Sequence, residues 1–248
     1  MPRHTANFRR REFLGLASIG LLSAELPWPA RAQAVASLKL GFIGAGREGG
    51  ALGTLFAKAG HPVMFSSRHP ETLTDLVASA GPNAKAGTVE EAIKFADVVA
   101  IVVPYTAMEQ IGKDYGAALA AKPLVLDVSN PIPKRDGEDF VKQINDMGGA
   151  GLAGAKFLPG AKIVRAFNAI GFGKLAPDAT KSDAKIGVPI AGDDKGAIVL
   201  ASALITEIGF TPVLVGGLAM GKYLVPGTPL GGEHSPDELK QIAATLKS

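Results

Sequence analysis

From Leu38 onward the apolar positions fall into two alternating kinds of run. Short runs rich in β-branched residues predict strands near 38–43, 62–66, 97–103, 123–128, 162–167, 186–191 and 211–215. Between them, Leu52 to Ala59, Glu71 to Ala80, Val89 to Ala96 and Ile198 to Ile208 carry apolar residues at helical spacing. Several of these end at a glycine, as at Gly60, Gly81 and Gly209. Val98-Val99-Ala100-Ile101-Val102-Val103 lacks polar alternation, so both its faces must be covered and it belongs in the middle of a sheet. Ser235-Pro236-Asp237-Glu238 supplies an N-cap serine, a first-turn proline and a glutamate three residues on, which predicts a last helix to about Leu246. Strands that alternate with helices make βαβ units and a parallel sheet.

The first 34 residues follow a different pattern. Arg9-Arg10-Arg11-Glu12-Phe13-Leu14 precedes an uncharged run from Gly15 to Ala24, then Pro27, Pro29 and Ala30-Arg31-Ala32-Gln33-Ala34. That is the layout of a signal peptide, and its apolar run is shorter than the roughly 20 residues a membrane-spanning helix needs. Paired arginines followed by x-Phe-Leu resemble the twin-arginine signal, which exports proteins already folded. The expectation is a periplasmic or otherwise exported protein cut after Ala32 or Ala34, or a cytoplasmic one if the signal is not used.

Removing that segment changes the charge balance. Five of the 26 basic and two of the 23 acidic residues fall in residues 1–34, which leaves 21 of each in the remainder. A neutral body offers no electrostatic footprint for nucleic acid or an anionic membrane, so the expected partner is a small molecule, with homodimerisation left open. The chain has no cysteine, which excludes disulfides and thiolate chemistry. The four histidines are scattered singly, so no metal site is expected; His61, His69 and His234 read as surface histidines.

The first predicted strand runs into Gly44-Ala45-Gly46-Arg47-Glu48-Gly49, and a helix follows, the setting a G-x-G-x-x-G turn requires. Gly44 allows the tight turn, Gly46 lets the backbone approach a pyrophosphate, and Gly49 lets helix and strand pack closely; the N–H groups and helix dipole then hold the anion. The fold predicted is α/β, a Rossmann-type NAD(P)-binding fold with a mostly parallel sheet and helices on both faces. Its dinucleotide-binding domain spans 35–168, with a small C-terminal portion over 169–248. The second strand ends in Phe65-Ser66-Ser67-Arg68, where an NAD enzyme carries an acid for the ribose 2′-hydroxyl. Hydroxyls and a guanidinium suit a 2′-phosphate instead, so Ser67 and Arg68 favour NADP(H).

Two further strand ends, Val103-Pro104-Tyr105 and Ser129-Asn130-Pro131, fall at the carboxyl edge of the sheet and are expected to border the nicotinamide. Tyr105 is the contact candidate of the first. Val164-Arg165-Ala166-Phe167-Asn168 ends in an amide that can pair with a carboxamide or ring carbonyl. The acidic pair Asp193-Asp194 sits between a strand and a helix and reads as an N-cap.

Taken together, the glycine turn, Ser66-Ser67-Arg68, Val103-Pro104, Val188-Pro189-Ile190-Ala191-Gly192-Asp193-Asp194, Gly216-Gly217-Leu218 and Thr228-Pro229-Leu230 resemble the NADPH-dependent deazaflavin (coenzyme F420) reductase family. Two positions depart from it: Val225 stands where an acid is expected and Asn168 where these reductases can have histidine. The resemblance implies hydride exchange between NADP(H) and a flat acceptor, F420 or a flavin, with the C-terminal portion closing the cleft. Such chemistry needs no obligatory catalytic base. A dinucleotide-binding protein without turnover and a small imine or keto acid reductase are the alternatives.

Overall fold

The computed structural model describes Met1 and residues 38–182 and 185–247. The twin-arginine segment and both cleavage positions lie outside the described residues. Among the described residues eight strands form one sheet: β1 (Leu40–Ile43), β2 (Val63–Ser66), β3 (Ala84–Gly87), β4 (Val98–Ile101), β5 (Val125–Asp127), β6 (Ile163–Arg165), β7 (Gly187–Gly192) and β8 (Thr211–Gly216). Their order is β3-β2-β1-β4-β5-β6-β7-β8, and every neighbouring pair is parallel except β6 with β7. This is the predicted Rossmann-type architecture, and its last two strands continue the same sheet.

Helices cover both faces. In chain order they are α1 (Arg47–Lys58), α2 (Thr74–Ala80), α3 (Val89–Phe95), α4 (Met108–Ala120), α5 (Pro133–Asp136), α6 (Glu138–Asp146), α7 (Ala150–Phe157), α8 (Phe172–Ala179), α9 (Lys195–Glu207) and α10 (Pro236–Thr245). The unbroken apolar run at β4 has the expected cause: Val98 and Ala100 point into one core with Phe42, Phe56 and Phe65, while Val99 and Ile101 point into a second with Ile43, Met108 and Leu119. With both faces buried, no position on the strand can be polar. Truncating a ring such as Phe56, fully buried in the first core, costs about 3–5 kcal/mol.

Local signals act as the sequence indicates at several helix ends. Ser235 and Glu238 form a reciprocal capping box on α10, and the Asp194 carboxylate caps α9 by accepting from the Ala197 N–H at 2.8 Å. Elsewhere the structure departs from the pattern. Strand β3 was not expected, because Ala84-Lys85-Ala86-Gly87 has no β-branched residue; it forms as an edge strand paired with β2 alone. The helix expected from Glu71 begins as a 3₁₀ turn over Pro70–Leu73. His61 is no surface histidine: it is fully buried, with Nδ1 3.0 Å from the Leu38 carbonyl and Nε2 3.2 Å from Glu207. Both contacts lie at the amino-terminal edge of the sheet. Among the described residues no helix is long and apolar enough to cross a membrane.

Candidate active site

The strand order reverses direction between β1 and β4, and at such a switch point the loops leave the sheet in opposite directions and open a crevice. A cleft of about 400 Å³ lies there, lined by the ends of β1, β4, β5 and β6 together with Pro226 of the C-terminal portion. Its floor and walls include Gly46 to Gly49, Val102 to Pro104, Val128 to Asn130 and Phe167 to Phe172.

The three glycines of the turn are required for three different reasons. Gly44 has φ 104°, and a Cβ there would fall 2.2 Å from the Val102 carbonyl oxygen. A Cβ on Gly49 would fall 2.1 Å from the Gly44 carbonyl oxygen, so α1 can approach β1 only without it. Gly46 is different: its φ is −71°, and a Cβ would meet nothing within 4 Å. No packing inside the protein demands a glycine at 46, and the space a side chain would fill belongs to the cleft. Gly46 is also the N-cap of α1 and provides no side-chain hydrogen bond, which leaves the first N–H groups of the helix for an outside anion. Ala45 and Gly44 lie under this turn and do not line the cleft.

Two side chains of the turn face the opening. Arg47 lays its guanidinium over the Phe172 ring, 4.9 Å from its centroid. Glu48 is half-buried, its Oε1 has no hydrogen-bond partner, and burial pushes its carboxyl up to about 7 against the opposing effect of a hydrogen bond from the Phe172 N–H.

The far wall is a polar network. Asp127 and Arg165 form a buried ion pair, and Arg165 Nη2 also donates to the Ser129 carbonyl at 3.0 Å and to Asn130 Oδ1 at 3.1 Å. Burial pushes the Asp127 carboxyl up, while Arg165 and the Ser129 N–H pull it down. The Ser129 hydroxyl accepts from the Val103 N–H at 3.1 Å and donates to the Ile101 carbonyl at 3.2 Å, which ties the β4 and β5 loops together. Asn168 follows Phe167, whose φ of 61° lies in the left-handed region. The Asn168 amide donates to the carbonyls of Asp127 and Ser129, both at 3.2 Å, and its Oδ1 has no partner although the residue is 3% exposed. An acceptor so placed is open to an N–H or O–H donor.

Of the residues the sequence nominated, Gly46, Arg47, Glu48, Gly49, Val103, Pro104, Ser129, Asn130 and Asn168 line this cleft. Ser67 and Arg68 follow β2, outside the cleft and on the adjacent side of β1; the Ser67 Oγ accepts from the His69 N–H, and Arg68 is exposed. Tyr105, expected at the nicotinamide, does not line the cleft. After Pro104 the chain enters a 3₁₀ turn that swings the ring inward, where it is fully buried against Phe157 and donates to the Ala150 carbonyl. Burial, then the Asp127 charge, pushes the phenol well above its usual range. It anchors α7 and touches no cleft space. Arg135, Ile170 and Phe172 line the cleft without having been singled out.

Residues 39–131 match the family model described as NADP oxidoreductase, coenzyme F420-dependent. That stretch runs from β1 to the loop after β5. Among solved structures, a hypothetical protein from Sinorhizobium meliloti is 29% identical, with a TM-score of 0.64 over 79% of this chain and 93% of its own. A provisionally named F420-dependent NADP reductase from Arthrobacter sp. FB24 is 18% identical, with a TM-score of 0.64 over 75% of this chain and 88% of its own. An imine reductase from Myxococcus stipitatus, a variant in complex with NAD⁺, is 18% identical with a TM-score of 0.52 over 74% of this chain, which spans 56% of that protein. At that identity the last two show shared fold. No curated protein matches the sequence significantly.

Proposed function

We propose that this protein is an NADP(H)-dependent oxidoreductase that exchanges a hydride between NADP(H) and a small flat acceptor of the deazaflavin or flavin kind. The observation that carries the reading is Gly46: a glycine with no internal reason to be one, at an uncapped helix N-terminus, facing a cleft at the switch point of the sheet. The family model matched by residues 39–131 supports the same cofactor and chemistry.

When bound, the dinucleotide would supply the hydride, and the protein's part would be to hold donor and acceptor in reacting geometry. The first N–H groups of α1 would take the pyrophosphate. Asn168 Oδ1 would accept from an amide N–H at the nicotinamide end; its own Nδ2 is already committed to the Asp127 and Ser129 carbonyls, so its orientation is fixed. Ser67 and Arg68, at the end of β2, would take a 2′-phosphate.

Calorimetric titration with NADPH and NADH, followed by NADPH oxidation with a panel of deazaflavins, flavins and small imines, tests the reading. Tight NADPH binding with acceptor-dependent oxidation is expected; binding without oxidation by any acceptor overturns the enzyme, and no binding overturns the site. The reading also includes export by the twin-arginine route, motivated by Arg10 and Arg11. Substituting both by lysine is expected to hold the protein in the cytoplasm, and unchanged export removes that assignment.

A further inference from the structure

The cleft is lined by two arginines, Arg47 beside the glycine turn and Arg135 across from it. Arg135 lies on the short helix α5, reached from β5, and lines the cleft with its side chain 41% exposed. Its guanidinium is held on one side only. Nε donates to Asp136 Oδ1 at 2.9 Å and Nη2 to Oδ2 at 2.8 Å, a bidentate pair, and Nη2 also donates to the Asn130 carbonyl. Asp136 is itself fixed: its side chain is buried and accepts from the Ile132 N–H at 2.8 Å. Burial alone would raise its carboxyl, but Arg135 and the Ile132 N–H outweigh that and hold it below the ordinary range. Among the described residues Nη1 has no hydrogen-bond partner. The result is a planar, permanently charged fork, oriented by a buried carboxylate, with one edge left for a ligand.

Position decides which ligand that is. A pyrophosphate belongs over the N-terminus of α1 at the end of β1, and a 2′-phosphate belongs beside β2, one strand further away. Arg135 is reached from β5, which lies two strands from β1 on the side away from β2. On the oxidoreductase reading, that end of the cleft would receive the nicotinamide and, beyond it, the second substrate. Resting on the oxidoreductase reading above, we propose that Arg135 is the specificity-determining residue for an acidic acceptor: a flat molecule whose carboxylate or phosphate takes the free Nη1 edge of the guanidinium.

FMN and riboflavin differ only in a phosphate and so probe the claim directly. Their affinities are measured by flavin fluorescence on the NADP⁺-saturated protein and on the empty protein, for the wild type, Arg135→Gln and Arg135→Lys. NADP⁺ affinity and thermal midpoint are measured alongside. The wild type is expected to favour FMN over riboflavin by about tenfold or more, the size of one charge-assisted hydrogen bond. Arg135→Gln should bring that ratio to about one, Arg135→Lys should keep part of it, and NADP⁺ affinity should stay within twofold in both. Equal FMN and riboflavin affinities in the wild type, no FMN binding at all, or a preference that survives Arg135→Gln each overturns the proposal. A loss of NADP⁺ affinity in Arg135→Gln also overturns it, by assigning the arginine to the cofactor. Should the wild type bind no NADP⁺, the oxidoreductase reading falls, and the comparison on the empty protein still decides the arginine.

Discussion

Asp127 and Arg165 are register partners at the ends of β5 and β6, and their side chains pair in the interior with neither exposed. The pair sits beneath the cleft, and through Nη2 the arginine also fixes the Ser129 carbonyl and the Asn130 amide on the cleft wall. Removing one partner leaves a buried charge without a counter-ion, so Asp127→Asn or Arg165→Met should each lower stability by about 3–5 kcal/mol in urea unfolding. The double variant Asp127→Leu/Arg165→Met removes both charges and should recover most of that loss. It should not recover NADPH-dependent turnover, because the wall loops lose their anchor. If the double variant is as unstable as the singles, or turns over normally, the pair does not have this role.

The glycine turn offers a separation of folding from binding. Gly46→Ala introduces a methyl into open space at an ordinary φ, so thermal stability should fall by no more than about 1 kcal/mol, the difference between glycine and alanine at an N-cap. The same methyl obstructs the approach of a pyrophosphate, and NADPH affinity should fall by at least tenfold in calorimetry. Gly49→Ala drives its methyl into the Gly44 carbonyl and should cost about 1–3 kcal/mol of stability as well. Undiminished NADPH affinity in Gly46→Ala would mean that the cleft serves another ligand.

How far the site was legible depended on whether its cause was local. Gly44, Gly46 and Gly49 could be assigned because a strand, a glycine turn and a helix are contiguous in the chain. Asn168 and Pro104 were recognisable as strand ends, and the carboxyl edge of a parallel sheet is where ligands bind. Tyr105 was misread because the sequence does not reveal which way a ring turns after Pro104; a 3₁₀ turn sent it into the core. Arg135 was missed for the opposite reason. It looks like one of several surface charges in Pro133-Lys134-Arg135-Asp136, and only the path of α5 brings it to the cleft. Asp127 and Arg165 did leave a trace, two opposite charges closing two successive apolar strands, Val125-Leu126-Asp127 and Ile163-Val164-Arg165. In neighbouring strands of one parallel sheet, such charges must neutralise each other.

Arg68 is exposed at the end of β2, away from the core, so Arg68→Ala should leave stability within about 0.5 kcal/mol. If its guanidinium binds a 2′-phosphate, NADPH affinity should fall by about 1.5–3 kcal/mol while NADH affinity is unchanged. Calorimetry with both dinucleotides reads the difference, and equal weakening would assign the residue to something other than the 2′-phosphate.

Glu48 makes both stability and binding depend on pH, with a sign that follows from burial. Its carboxyl is pushed from 4.5 to about 7 in the folded protein, so between those values the native state holds a proton that the unfolded chain has released. The contribution therefore favours folding most at the acid end and is lost as pH rises through 7, opposite to a carboxylate held by a salt bridge. Allowing for solvent screening of a half-buried group, the change is worth about 1–2 kcal/mol. Glu48→Gln removes the titration: the variant should match the wild type near pH 4.5 and exceed it in stability by that amount above pH 7. The same proton governs the ligand. A charged Glu48 in the first turn of α1 repels a pyrophosphate held by the helix N-terminus, so wild-type NADPH affinity should strengthen as pH falls from 8 to 6, and Glu48→Gln should flatten the profile at its tight-binding level. A wild-type profile that Glu48→Gln leaves unaltered would place the titrating group elsewhere.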